Sequence, residues 1–242
     1  MNVTNNKWDK KSKTYNKFSG NLNDFQKKFF KVLDEFGVDF KGKTMIDIGC
    51  GTGAYTLYLA RLCKNILGID SSIKMLEELE KSAKEFNITN VKTKNFSFDE
   101  FESSDKFDIA FLTMSPALQT KEHFQKFIDL GELKIYLNWY KPRHSTLLEP
   151  FFKKYGKNSL TNRTSMLKSY LEISKIPYKS EILTEMRIQN RSYEEAVENV
   201  LWHLDINNLN FNEDEVKDEI KAMLEGGFIK DTINSKMQLL VF

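Results

Sequence analysis

The chain has 242 residues, 40% of them hydrophobic and 13% aromatic, which is enough apolar material for a large core and excludes wholesale disorder. Its 36 Lys and Arg nearly balance 34 Asp and Glu, a net charge of +2, and this argues against a nucleic-acid partner whose phosphates must be neutralised. No apolar run approaches the ~20 residues that cross a bilayer, no signal-like segment opens the chain, and Cys50 and Cys63 lack metal-like spacing, so we expect a cytoplasmic protein with no membrane partner and no metal.

Residues 1–43 hold ten Lys against five acids, read as a solvated helix face and a frayed basic arm. From Leu22 to Phe36, Phe25, Phe29, Val32, Leu33 and Phe36 recur at helical spacing, and the helix ends near Gly37. A buried-strand pattern over Thr44–Ile48 runs into Gly49, Gly51 and Gly53, then a helix from Ala54 to Cys63. Strand Asn65–Ile69, helix Ser72–Phe86, strands Val91–Asn95 and Phe107–Leu112, helix Lys121–Leu130 and strand Leu133–Asn138 follow. This alternation predicts an α/β fold, a doubly wound and mainly parallel sheet covered on both faces.

Residues 139–178 bring Trp139, Tyr140, Phe151, Phe152, Tyr155, Tyr170 and Tyr178 with no strand pattern, and read as a helical insertion over the carboxyl edge of the sheet. A strand over Ser180–Gln189, helices over Tyr193–Leu204 and Glu213–Glu225, and a strand within Phe228–Phe242 complete the chain, the two late strands pairing as an antiparallel edge. One domain over 1–242 is expected.

The informative segment is Asp47-Ile48-Gly49-Cys50-Gly51-Thr52-Gly53, with Asp70 closing the next strand. Ligands of doubly wound sheets bind beyond the carboxyl ends of the strands, where a glycine turn admits close approach and the next helix offers free N–H groups. The spacing is Gly-x-Gly-x-Gly, not the Gly-x-Gly-x-x-Gly of dinucleotide binders. Asp70 stands where a carboxylate accepts ribose hydroxyls. An acid beside the turn repels a pyrophosphate and attracts an ammonium, which favours the methionyl tail of S-adenosylmethionine over a nicotinamide dinucleotide.

The segment resembles motif I of the class I S-adenosylmethionine-dependent methyltransferases, small-molecule type, and Leu67 to Leu76 resembles that family's second strand and following helix. The resemblance implies a seven-stranded Rossmann-like sheet and S-adenosylmethionine as cofactor, with S-adenosylhomocysteine as product. By position it implies that Asp47, Gly49, Cys50, Gly51 and Gly53 line the methionyl end, Asp70 and Ser71 the ribose, Met75, Asn95 and Phe96 the adenine, and Thr113 the methyl group. Asn95 stands where the family often has Asp. Trp8, Asp9 and Tyr15 resemble the W-D-x-x-x-x-x-Y pattern of small-molecule members, which implies a lid over residues 1–20 with Tyr15 closing on the cofactor.

Transfer from a sulfonium is an in-line displacement that rests on orientation and shielding, so no catalytic residue is assigned. Ser115, Trp139, Tyr140, Arg143 and His144 are the acceptor-side candidates, and Ser115-Pro116-Ala117 resembles in part the Ser-Pro-Pro-aromatic signature of amine-directed members. The acceptor is expected to be a small molecule. An RNA or protein methyltransferase, and a protein that binds S-adenosylmethionine or S-adenosylhomocysteine without catalysis, remain as alternatives.

Overall fold

A computed structural model describes residues 3–156 and 162–242. In chain order it has α1 (Val3–Lys11), α2 (Asp24–Glu35), β1 (Thr44–Ile48), α3 (Thr56–Leu59), β2 (Asn65–Asp70), α4 (Ile73–Glu85), β3 (Val91–Asn95), β4 (Phe107–Thr113), α5 (Lys121–Leu130), β5 (Gly131–Ser145), α6 (Glu149–Tyr155), α7 (Arg163–Ile173), β6 (Lys179–Arg191), α8 (Tyr193–Ile206), α9 (Glu213–Ala222) and β7 (Ile229–Val241). The sheet order is β3-β2-β1-β4-β5-β7-β6, with β3, β2, β1, β4 and β5 mutually parallel. Lys134 of β5 and Phe242 exchange both backbone hydrogen bonds (2.7 and 3.1 Å), an antiparallel pairing, so the doubly wound sheet with an antiparallel edge holds.

Contacts divide the chain into two compact units, Met1–Tyr140 with Asn162–Leu183 and Met237–Phe242, and Lys141–Thr161 with Thr184–Lys236. In the first, strand residues alternate between two cores. Met45, Ile109, Phe111, Ile135 and Leu137 meet Phe29, Val32 and Leu33 of α2 on one face, while Ile46, Ile48, Ala110, Leu112 and Tyr136 meet Phe124 and Phe127 of α5 and Leu167 and Leu171 of α7 on the other. Burial on both faces is why these strands read as unbroken apolar runs. Local caps set the helix starts: Asn23 and Gln26 form a capping box on α2, and Ser72 and Thr120 accept from N–H groups of α4 and α5.

The second unit packs Leu147, Leu148 and Phe151 against Ala196, Val200 and Leu204 of α8 and Val216 and Ile220 of α9. Buried Asp231 accepts from Ser145 Oγ (2.7 Å) and Arg191 Nε (3.2 Å), which offsets the cost of burying its charge.

Three stretches differ from the sequence reading. Residues 3–11, read as a frayed arm, form α1 against α4. The helix expected over 54–63 has its α-helical turn at Thr56–Leu59 alone. The strand expected to end at Asn138 runs to Ser145, so the first seven residues of the expected insertion belong to β5, and α6 and α7 follow.

Candidate active site at the strand tips

The site is built on the turn after β1. Gly49 N–H and Cys50 N–H both donate to Ile69 O of β2 (2.8 and 3.1 Å), which curls the chain back over its neighbouring strand. Gly49 has φ +71°, and a Cβ there would lie 2.6 Å from Ser115 Cβ, so only glycine admits Ser115 at that spot. Gly51 also has positive φ (+54°), but a Cβ there would meet nothing within 4 Å; its backbone faces open space beside Asp70.

Two carboxylates bracket this turn. Asp70, half-buried at the tip of β2, accepts from Gly51 N–H (2.9 Å) through one oxygen and Ser72 N–H (2.8 Å) through the other. Burial raises its pKa, the two backbone donors lower it, and Asp9 raises it again. Asp47 is 2% exposed and accepts from Thr56 Oγ (2.6 Å). Burial lifts its carboxyl from 3.8 to about 7, opposed by the Thr56 bond and reinforced by Asp70. Cys50 is buried and its thiol is pushed well up by burial and by the two acids, the opposite of an activated thiolate.

Asn95 follows at the tip of β3, where its Nδ2 donates to Asp70 O (2.9 Å) and leaves its side-chain oxygen as an acceptor. Phe96 is 42% exposed whereas Met75 is buried, so of the two adenine-wall candidates Phe96 presents its ring to solvent. Beyond β4, Thr113 leads into Met114, a non-glycine at φ +55°, and then buried Ser115. Such strain persists only where the surroundings enforce it. Here Met114 N–H donates to Leu137 O (2.8 Å) and Asn138 Nδ2 donates to Ser115 O (2.7 Å). Asn138 was not among the sequence candidates; a buried Asn ending an apolar strand pattern is the signal that could have found it.

The amino-terminal segment lies on the same turn. Asp9 Oδ1 accepts from Ser72 Oγ (2.5 Å) and Lys74 N–H (3.3 Å) at the start of α4, where the helix dipole favours an acid. Thr52 Oγ donates to Asn16 O (2.5 Å), Lys17 pairs with Glu78 (2.6 Å), and buried Phe18 packs edge-on against Phe86 (4.8 Å between centroids) with Cys50, Leu57 and Leu79 around it. Trp8 and Tyr15 meet edge to face at 5.9 Å.

Asp47, Gly49 to Gly53, Asp70, Ser71, Asn95 and Ser115 thus lie on adjoining strand tips joined by hydrogen bonds or direct packing. Trp139 and Tyr140 are half-buried, and their carbonyls accept from Thr164 Oγ (2.8 Å) and Asn162 Nδ2 (3.1 Å). Arg143 and His144 belong to the second unit. Arg143 Nη2 meets His203 Nε2 at 2.6 Å, and exposed His144 borders a groove of about 270 Å³ with Lys141, Met186 and Lys236. No helix is long and apolar enough to cross a membrane, and no cluster of potential metal ligands occurs, among the described residues.

A family model described as a methyltransferase domain matches residues 39–225. In sequence, the chain is similar to (S)-coclaurine N-methyltransferase of Papaver somniferum, 31% identical over 88 residues, or 36% of this chain and 24% of that one. It is similar also to the 23S rRNA (uracil(1939)-C(5))-methyltransferase RlmD of Francisella tularensis subsp. novicida, 31% identical over 97 residues, 38% and 21% of the two chains. The matched parts therefore span about a quarter or less of these relatives. In fold it resembles the YcgJ protein of Bacillus subtilis, 14% identical, with a TM-score of 0.55 over 89% of this chain and 98% of that one. A Bacillus halodurans protein is similar at 13% identity and a TM-score of 0.56 over 90% and 97%. With a methyltransferase model spanning most of its length on this sheet, the chain belongs to the class I, S-adenosylmethionine-dependent methyltransferase family.

Proposed function

We propose that the chain transfers the methyl group of S-adenosylmethionine to a small-molecule acceptor, with the cofactor held across the tips of β1, β2 and β3. When bound, the cofactor supplies a methyl carbon on a sulfonium, open to in-line displacement by an acceptor atom. The residues present suit it. Asp70 retains one acceptor position on each oxygen after its backbone bonds, suited to the two ribose hydroxyls beside Ser71. At the methionyl end, beside Gly49, Cys50 and Gly53, Gly51 leaves open space and Asp47 supplies negative charge once ionised, above about pH 7. Asn95 and Phe96 offer an acceptor and a ring face to the adenine, Met75 is a buried residue of α4, and Thr113 and Ser115 border the reacting centre. Tyr15 closes from the amino-terminal lid and excludes water. Trp139 and Tyr140, in the same unit as the glycine turn, are proposed for the acceptor.

The small-molecule reading is carried by charge. The whole chain holds 36 Lys and Arg against 34 Asp and Glu, which is no basic surplus for a phosphate backbone. Similarity to RlmD and the basic start favour RNA as the second reading. Incubation with tritiated S-adenosylmethionine and a cell extract, followed by separation of metabolites, RNA and protein, tests both. Label in the metabolite fraction is expected, and label confined to RNA or protein would replace the proposal.

A further inference from the structure

The loop between β4 and α5 is pinned at its near end by Leu137 and Asn138. Its far end is held by a titratable group. Gln119 N–H donates to His123 Nδ1 (3.2 Å), so this nitrogen carries the lone pair. Nε2 then carries the proton and donates to Asp99 Oδ1 (2.6 Å), in the connection that follows Asn95 and Phe96. The His123 side chain is 12% exposed with its ring edge-on to Phe98, and Lys126 Nζ, one helical turn on, donates to Phe98 O (2.7 Å). Leu118 and Phe98 are both buried in the core beneath.

We infer that His123 is a positioning residue: its neutral imidazole clasps the post-β4 loop to the post-β3 connection and so sets the spacing between the methyl-side and adenine-side walls of the site. This rests on the proposed roles of Thr113, Ser115, Asn95 and Phe96. Protonation places an Nδ1–H against the Gln119 N–H, donor against donor. The Asp99 bond survives and the loop end is released. The charged side chains at the ring are Asp99, on Nε2, Lys126, whose Nζ donates to Phe98 O and Asp99 O (2.7 and 3.3 Å), and the neighbouring Lys121 and Glu122 of α5. Acidification therefore loosens the loop independently of any acceptor.

The test measures Gln119 amide exchange by NMR and S-adenosylhomocysteine affinity by calorimetry, at pH 7.5 and 5.5. In the unmodified protein the Gln119 protection factor should fall about threefold to tenfold at the lower pH, the worth of one hydrogen bond. In His123→Asn, whose amide oxygen accepts without titrating, it should not change. Asp99→Ala, at a residue whose side chain is 74% exposed, removes the partner that selects the tautomer and should lower protection about threefold at pH 7.5. The drop in S-adenosylhomocysteine affinity on acidification should be about threefold larger in the unmodified protein than in His123→Asn, the titration of Asp47 being common to both. Unchanged Gln119 protection in the unmodified protein, or in Asp99→Ala, overturns the clasp. Equal affinity drops in the two proteins overturn its link to the site while leaving cofactor binding intact. Absence of S-adenosylhomocysteine binding at both pH values overturns the cofactor reading itself and the inference with it.

Discussion

Asp70 accepts the Gly51 N–H at 2.9 Å, so the tip of β2 holds the glycine turn of the neighbouring strand with the same carboxylate that is proposed to grip the ribose. The two tasks separate by substitution. Asp70→Ala should lower S-adenosylhomocysteine affinity about 100-fold by calorimetry, as two charge-assisted hydrogen bonds are lost. Asp70→Asn keeps one acceptor for the turn and should retain more thermal stability than Asp70→Ala while still binding at least about tenfold more weakly than the unmodified protein. Equal affinity in all three proteins would remove Asp70 from the ribose site.

The first two turn glycines should fail in different ways. Gly49→Ala drives a methyl group into Ser115 at a positive φ, and should cost about 2–4 kcal/mol in chemical denaturation. Gly51→Ala incurs the backbone strain alone, about 1 kcal/mol, yet places its methyl in the space assigned to the cofactor. Its affinity should therefore fall further than its stability does.

Asp47 makes stability depend on pH. Its folded pKa, about 7, lies above the ordinary 3.8, so between those values the folded chain keeps a proton that the unfolded chain has lost. Its contribution then falls as pH rises from 3.8 to about 7 and is level above that. Asp47→Asn should be more stable than the unmodified protein by about 1–3 kcal/mol at pH 8 and equal to it near pH 4. At pH 8 it should also bind S-adenosylhomocysteine about tenfold more weakly, because the charge facing the ammonium is gone. Denaturation curves at the two pH values check the sign; a larger advantage at pH 4 would refute it.

The amino-terminal segment, proposed as a lid, is held by a few separable contacts. Phe18→Ala should destabilise by about 3–5 kcal/mol as a buried ring is lost. Asp9→Ala should cost only about 1 kcal/mol but speed S-adenosylhomocysteine dissociation, since it frees α1 from the start of α4. Tyr15→Ala and Trp8→Ala should weaken binding about threefold to tenfold without a comparable loss of stability. Stopped-flow dissociation rates that match the unmodified protein in all of these would leave the segment a purely structural arm.

The strands, the glycine turn and its two acids were legible because each is local: Asp47 and the chain-reversing glycines are written within seven residues of one another, and Asp70 closes the next apolar run, 17 residues past Gly53. That alternation gives a mainly parallel sheet covered on both faces, whereas the strand order, with β7 between β5 and β6, is seen only in the folded chain. What the chain's own order left open lies in contacts between distant positions. Asp9 on Ser72, 63 residues away, turns an apparently frayed arm into a docked helix, and Asn138 on Ser115 fixes a loop whose sequence names no partner. The length of β5 was missed for the same reason. Residues 141–145 lose the apolar run and include Pro142, so their extended backbone owes nothing to local pattern. The division into two units depends likewise on which side chains find a shared core, and only the folded chain decides that.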